Sequence, residues 1–175
     1  MRSADPVRQA EHLLRQSIDN QLQPVPIITL CHAQNITVYA TSFTAHDIAV
    51  ALMGRQGIYT IFVDKTTSAV YQRFLIAHAL AHYFLHCAAY PDRANQSLVE
   101  SYDGLWPIHS GDSHERHDDQ ISCEECRTHR LANALLMPRT LIIQGLSYPI
   151  SVSSLAFLLG VSRPMLRQRL REIAR

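Results

Sequence analysis

Lysine is almost absent from this chain. Of its 16 basic residues, Lys65 is the sole lysine and the rest are arginines, balanced by 15 acids to a net charge of +1. A protein so close to neutrality is not a polycation built to coat nucleic acid. Four cysteines in 175 residues are too few for a disulfide scaffold. No apolar run approaches the ~20 residues that a membrane span needs. The start, Met1-Arg2-Ser3-Ala4-Asp5-Pro6, leads into charges and not into an apolar stretch, so no signal peptide is read there. The expectation is a cytoplasmic protein with reduced thiols. Apolar residues at 47% and charged residues at 18% exclude general disorder. A chain of this length buries roughly 70% of its unfolded surface and folds without staples.

Hydrophobic spacing organises the rest. Val7, Ala10, Leu13, Leu14 and Ile18 form a helical stripe. Pro26 is placed to open a second helix through Ala33. Ile36 to Thr41, Ile48 to Met53 (closed by Gly54) and Ile58 to Val63 read as strands of a small antiparallel or mixed three-stranded sheet. From Ser68 to Ala88 the pattern becomes helical. Residues 92 to 125 hold nine acids against two arginines, a net of −7, and read as a long, exposed, acidic variable segment. A further helix starts at Cys123 or Glu124 and ends before Pro138. The tail from Val152 to Ala174 reads as two short helices around Gly160-Val161-Ser162. We divide the chain into an α+β domain, 1–150, and a helix-turn-helix-like appendage, 151–175.

The chemistry centres on His78-Ala79-Leu80-Ala81-His82. Two histidines at i and i+4 share one face of a helix, close enough for both imidazoles to hold one metal ion. In the zinc-peptidase motif H-E-x-x-H the intervening glutamate takes a proton from water and passes it to the leaving amine. Here that position is Ala79. Alone, such a histidine pair is weak and arises by chance in a chain with ten histidines.

Its surroundings are more specific. The histidines lie in Arg73-Phe74-Leu75-Ile76-Ala77-His78 and run on as Tyr83-Phe84-Leu85-His86; later come Glu125-Cys126-Arg127-Thr128-His129-Arg130-Leu131-Ala132-Asn133-Ala134-Leu135-Leu136-Met137-Pro138. Together these resemble the ImmA/IrrE family of metallopeptidases, with its R-F-x-x-A-H-E-x-x-H-Y-x-L-H segment and its E-x-x-A-N-x-F-A-x-x-L-L-M-P helix. The resemblance implies a zincin-like fold and an enzyme that cleaves helix-turn-helix repressors of mobile elements or stress responses. It implies His78 and His82 as metal ligands and Glu125 as the third, with Glu124 as runner-up. Thr128, Ala132 and Leu135 share a helical face with Glu125, which favours it over Glu124. The sequence departs from the family pattern at Ala79, Thr128, His129 and Leu131.

Two imidazoles and one carboxylate suit a catalytic Zn2+ with one open position. The same set also suits manganese, iron or cobalt. Ala79 marks either a natural pseudo-peptidase or an introduced Glu→Ala change. The intact surroundings favour the second. The functional expectation is therefore a zinc-dependent, site-specific endopeptidase of a transcriptional repressor, disabled by Ala79. Its rival is a non-catalytic regulator that binds DNA or the repressor. A bound peptide is expected to extend along an edge strand, which the sequence does not identify.

Weaker signals remain. His114, His117, Cys123 and Cys126 have the spacing of a tetrahedral zinc site, against the plainer reading of a solvated histidine-rich loop. Cys31 and Cys87 read as buried thiols. His86 and His129 are candidates to orient the metal ligands, although His86 equally suits a helix C-terminus. Arg163, Arg167, Arg171 and Arg175 recur every four residues, as on a recognition helix facing phosphates. The favoured alternative is a helix pair packed on the core, whose arginine stripe is solvated or holds an acidic partner.

Overall fold

The computed structural model describes residues 6–14, 21–45, 47–88, 97–101 and 124–174. In chain order these form α1 (Pro6–Leu14), α2 (Ile27–Ala33), β1 (Ile36–Thr41), β2 (Ile48–Arg55), β3 (Ile58–Asp64), α3 (Ala69–His82) running into a π-helical turn (Tyr83–Cys87), β4 (Ser97–Ser101), α4 (Glu124–Leu136), α5 (Arg139–Leu146), α6 (Val152–Leu159) and α7 (Arg163–Ala174). The architecture is α+β, a mixed sheet packed on helices. No described helix is long and apolar enough to cross a membrane.

The sheet has four strands and not three, in the order β1-β3-β2-β4. Strands β2 and β3 form an antiparallel hairpin, with Arg55 opposite Ile58. Gln56 and Gly57 between them both take positive φ, 52° and 79°. A two-residue turn with that geometry matches the twist of the strands it joins. The turn therefore falls at Gln56-Gly57, and Gly54 stays within β2. Because the hairpin folds β3 back between β1 and β2, β1 pairs with β3 in parallel, Ile36 opposite Tyr59 through Thr41 opposite Asp64. The fourth strand comes from the segment read as long and exposed. Leu98 and Glu100 turn inward, while Val99 is 53% exposed. Residues 102–123, with His114, His117 and Cys123, lie outside the described residues, as does Arg175.

Asp64 ends β3 by accepting hydrogen bonds from the Thr66 N–H and hydroxyl, both 2.9 Å. The Ser68 hydroxyl then caps α3, accepting from the Tyr71 N–H at 3.3 Å. Every residue of α3 from Phe74 to His82 is buried. Burial on all sides marks a core helix. It lies between the sheet and α4.

Leu135, Leu136 and Met137 at the end of α4 are fully buried, as expected for the anchor that sets the register of this helix. Truncating Leu135 to Ala is expected to cost about 2–5 kcal/mol, through lost transfer energy and a residual cavity. Urea unfolding measures this directly, and a cost below about 1 kcal/mol contradicts the packing.

The C-terminal helices pack on the body. Gly160 takes φ +63° in the turn between α6 and α7. A Cβ there would meet Arg73 Nε at 3.1 Å and Pro24 Cβ at 3.2 Å, so the turn needs glycine for its conformation and for the close approach. Arg73 donates to the Gly160 carbonyl at 3.2 Å and to the Val25 carbonyl at 2.9 Å. Arg169, almost wholly buried, donates from Nε to the Met137 carbonyl at 3.2 Å and pairs with Glu172 at 3.0 Å. Helix α5 has no counterpart in the sequence reading, whereas the π turn closes the helix read over Ser68 to Ala88. Cys31 and Cys87 are buried and form no disulfide, and burial pushes the Cys31 thiol up to about 12.

Candidate metal centre

His78 and His82 sit one turn apart near the end of α3, with their Nε2 atoms 3.0 Å apart. Helix α4 brings Glu125 against both. Its Oε1 is 3.2 Å from His78 Nε2, and its Oε2 is 3.5 Å from His82 Nε2. Both imidazoles are buried, whereas the Glu125 side chain is 39% exposed. The side chain of the runner-up, Glu124, lies outside the described residues.

A single proton on an imidazole nitrogen satisfies one acceptor. Here each Nε2 faces the other and a carboxylate, an arrangement suited to a shared cation. Bonds of about 2.0–2.1 Å at tetrahedral angles put neighbouring donor atoms about 3.3 Å apart, close to the separations seen here. The donor set therefore fits a divalent metal ion.

A fourth donor joins these three. Glu100 on β4 places Oε1 3.5 Å from His82 Nε2. The ligand atoms of His78, His82, Glu100 and Glu125 all lie within 4.8 Å of one another. The sequence reading missed Glu100, leaving it among the acids of the 92–125 segment. The available signal was the short Leu98-Val99-Glu100 alternation, too brief to announce a strand.

His129, one turn after Glu125 and buried, holds its Nε2 3.0 Å from Glu125 Oε1. Its ring stacks on Phe74 and lies 4.6 Å from that of His78. This contact helps to orient the carboxylate. His86, on the π turn, has its ring 5.3 Å from that of His82. Such turns often interrupt helices near functional sites.

Burial alone would raise the pKa of Glu125. The close approach of the His129 and His82 imidazoles, and the charges of His78 and His129, outweigh it and hold the carboxyl well below the usual range. With the folded value below the unfolded one, Glu125 stabilises the metal-free protein above about pH 4.3, the ordinary glutamate value. That contribution is lost as pH falls through the folded value. Solvent at this partly exposed group makes the effect modest. Urea midpoints between neutral and acid pH are expected to fall more for the unsubstituted protein than for Glu125→Gln. Parallel curves contradict this.

Ala79, at the glutamate position of the zinc-peptidase motif, is 1% exposed and belongs to the hydrophobic core. It supplies no ligand and no base. Cys126 is half-buried beside Glu125. Arg163, Arg167 and Arg171 are exposed on one side of α7, while Met165, Leu166 and Arg169 are buried on the other.

No curated protein matches the chain at a significant level. The model of the M78 peptidase family, described as the IrrE N-terminal-like domain, matches residues 31–171, a span that takes in the sheet, α3, α4 and most of the C-terminal helix pair. With that match covering most of its length, the chain belongs to the ImmA/IrrE family of metallopeptidases.

Proposed function

We propose that the chain carries the framework of a zinc-dependent endopeptidase that cuts a helix-turn-helix transcriptional repressor at one site, and that Ala79 disables it. The observation that carries this reading is the convergence of His78, His82 and Glu125 from two packed helices, with the base position empty of a carboxylate between the two histidines. A divalent ion held by these side chains would acidify water and polarise a peptide carbonyl. The His₂-carboxylate set suits zinc and also manganese, iron or cobalt.

The chain's own residues supply the rest. His129 orients Glu125, and the buried face of α3 holds both imidazoles rigid. Strand β4 lies at the edge of the sheet and carries Glu100 to the donors. A peptide added along β4 would therefore run past the centre, with main-chain hydrogen bonds setting its register. The acidic segment around β4, net −7 over residues 92–125, suits a basic partner such as the DNA-binding face of a repressor.

The second reading, a natural non-catalytic regulator, draws support from two observations. Ala79 is packed into the core, and Glu100 stands among the donors. The exposed Arg163, Arg167 and Arg171 offer such a regulator a surface for DNA. Cleavage of candidate repressors by the Ala79→Glu protein, with metal and with chelator, separates the two readings.

A further inference from the structure

Neither the histidine spacing nor the α4 motif accounts for Glu100. We propose that Glu100 is a fourth metal donor, so that the resting centre is a closed site of two histidines and two carboxylates rather than a three-donor site with an open position. This rests on the reading of His78, His82 and Glu125 as metal donors, and deepens it.

Three observations carry it. First, His82 Nε2 lies 3.0 Å from His78 Nε2 and 3.5 Å from oxygens of both Glu100 and Glu125. A simple His82–Glu100 ion pair places the one Nε2 proton of His82 on one of those contacts. One cation explains all three.

Second, the pairing of β2 with β4 is irregular beside this side chain. It slips between Ile48 and Val50, so that Val50 faces Glu100 and Ile48 faces Ser101. The extra residue, Ala49 of β2, falls between the partners of Glu100 and Ser101. Bulges are over-represented next to functional sites. Glu100 shares the inward face of β4 with Leu98, which packs on the core.

Third, the charges balance. Two neutral imidazoles and two carboxylates carry −2, which a divalent ion cancels. Without an ion, two carboxylates share a partly buried pocket. Four protein donors around a tetrahedral ion leave no position for solvent, the arrangement of structural rather than catalytic sites. The chain would then lack both the base and the open position that hydrolysis needs.

The test uses the full chain, zinc affinity by competition with a chromogenic chelator, and the visible spectrum of the Co2+-loaded protein with and without azide. Glu100→Ala and the size-conserving Glu100→Gln are expected to weaken zinc binding by more than about 100-fold, beyond the cost of losing a residue that only orients a ligand. The Co2+ spectrum of Glu100→Ala is expected to respond to azide, and that of the unsubstituted protein is not. A smaller loss in folded Glu100→Gln, or an azide response already present in the unsubstituted protein, overturns the proposal. His82→Ala distinguishes the levels of the argument. If it keeps its zinc, the donor set itself is misplaced and the proposal falls with it. If it loses zinc while Glu100→Gln does not, the three-donor centre stands without Glu100.

Discussion

Ala79→Glu combined with Glu100→Ala is expected to raise metal-dependent cleavage of the cognate repressor by about 10²–10⁴-fold over Glu100→Ala alone, the usual contribution of a positioned general base. Position 79 directly follows His78, a proposed metal donor, on a buried stretch of α3. Glutamate is nearly as good a helix former as alanine, so the backbone cost is small. The larger cost is burying a carboxylate where Ala79 now packs at 1% exposure. A nearby cation offsets that cost and favours the ionised form needed to accept a proton. Chelator is expected to abolish the activity, and His78→Ala in the same background to remove it. Ala79→Glu alone is expected to gain less, because Glu100 then still closes the resting centre. Appearance of a discrete fragment on electrophoresis is the measurement. A folded, metal-loaded protein carrying both Ala79→Glu and Glu100→Ala that cuts no candidate repressor contradicts the peptidase reading and favours the regulator.

Removing either histidine donor is expected to have the second large effect. A ligand that binds only the folded state stabilises it by RT ln(1 + [L]/Kd), about 4 kcal/mol at a thousandfold excess over Kd. For a protein of this size that corresponds to a rise in Tm of roughly 8–16 °C. The unsubstituted protein should show this rise on adding zinc, whereas His78→Ala and His82→Ala should show almost none. The alanine variants should remain folded without metal, because α3 is held by apolar contacts on all sides. An undiminished rise in both variants would place the metal elsewhere on the chain.

The helices and the centre differ in how far local sequence reveals them. Helix α3 is legible because Ser68 caps it and its apolar residues recur at helical spacing before the histidines. The α4 register is legible because Leu135, Leu136 and Met137 anchor its end, and all three are fully buried. The order of the strands is not legible in this way. That β3 lies between β1 and β2 depends on pairing across the sheet, which local alternation does not encode. Strand β4 is five residues with two serines and a glutamate, and it forms because β2 offers an unpaired edge. Glu100 is therefore invisible until the sheet is assembled. Arg73 belongs to the motif around the histidines, yet its work is remote. It ties α3 to the carbonyls of Val25 and Gly160, each far away in sequence. The helix-turn-helix-like tail was legible from Gly160 and the leucine spacing, but its docking on Arg73 and on the end of α4 was not.

The most direct test of the account is an anomalous-scattering map from crystals of the zinc-loaded protein, collected at the zinc edge. The account predicts one strong peak about 2.0–2.1 Å from His78 Nε2, His82 Nε2 and a Glu125 carboxylate oxygen. A map without that peak, or with its sole peak at Cys126 or in the 102–123 segment, would contradict it.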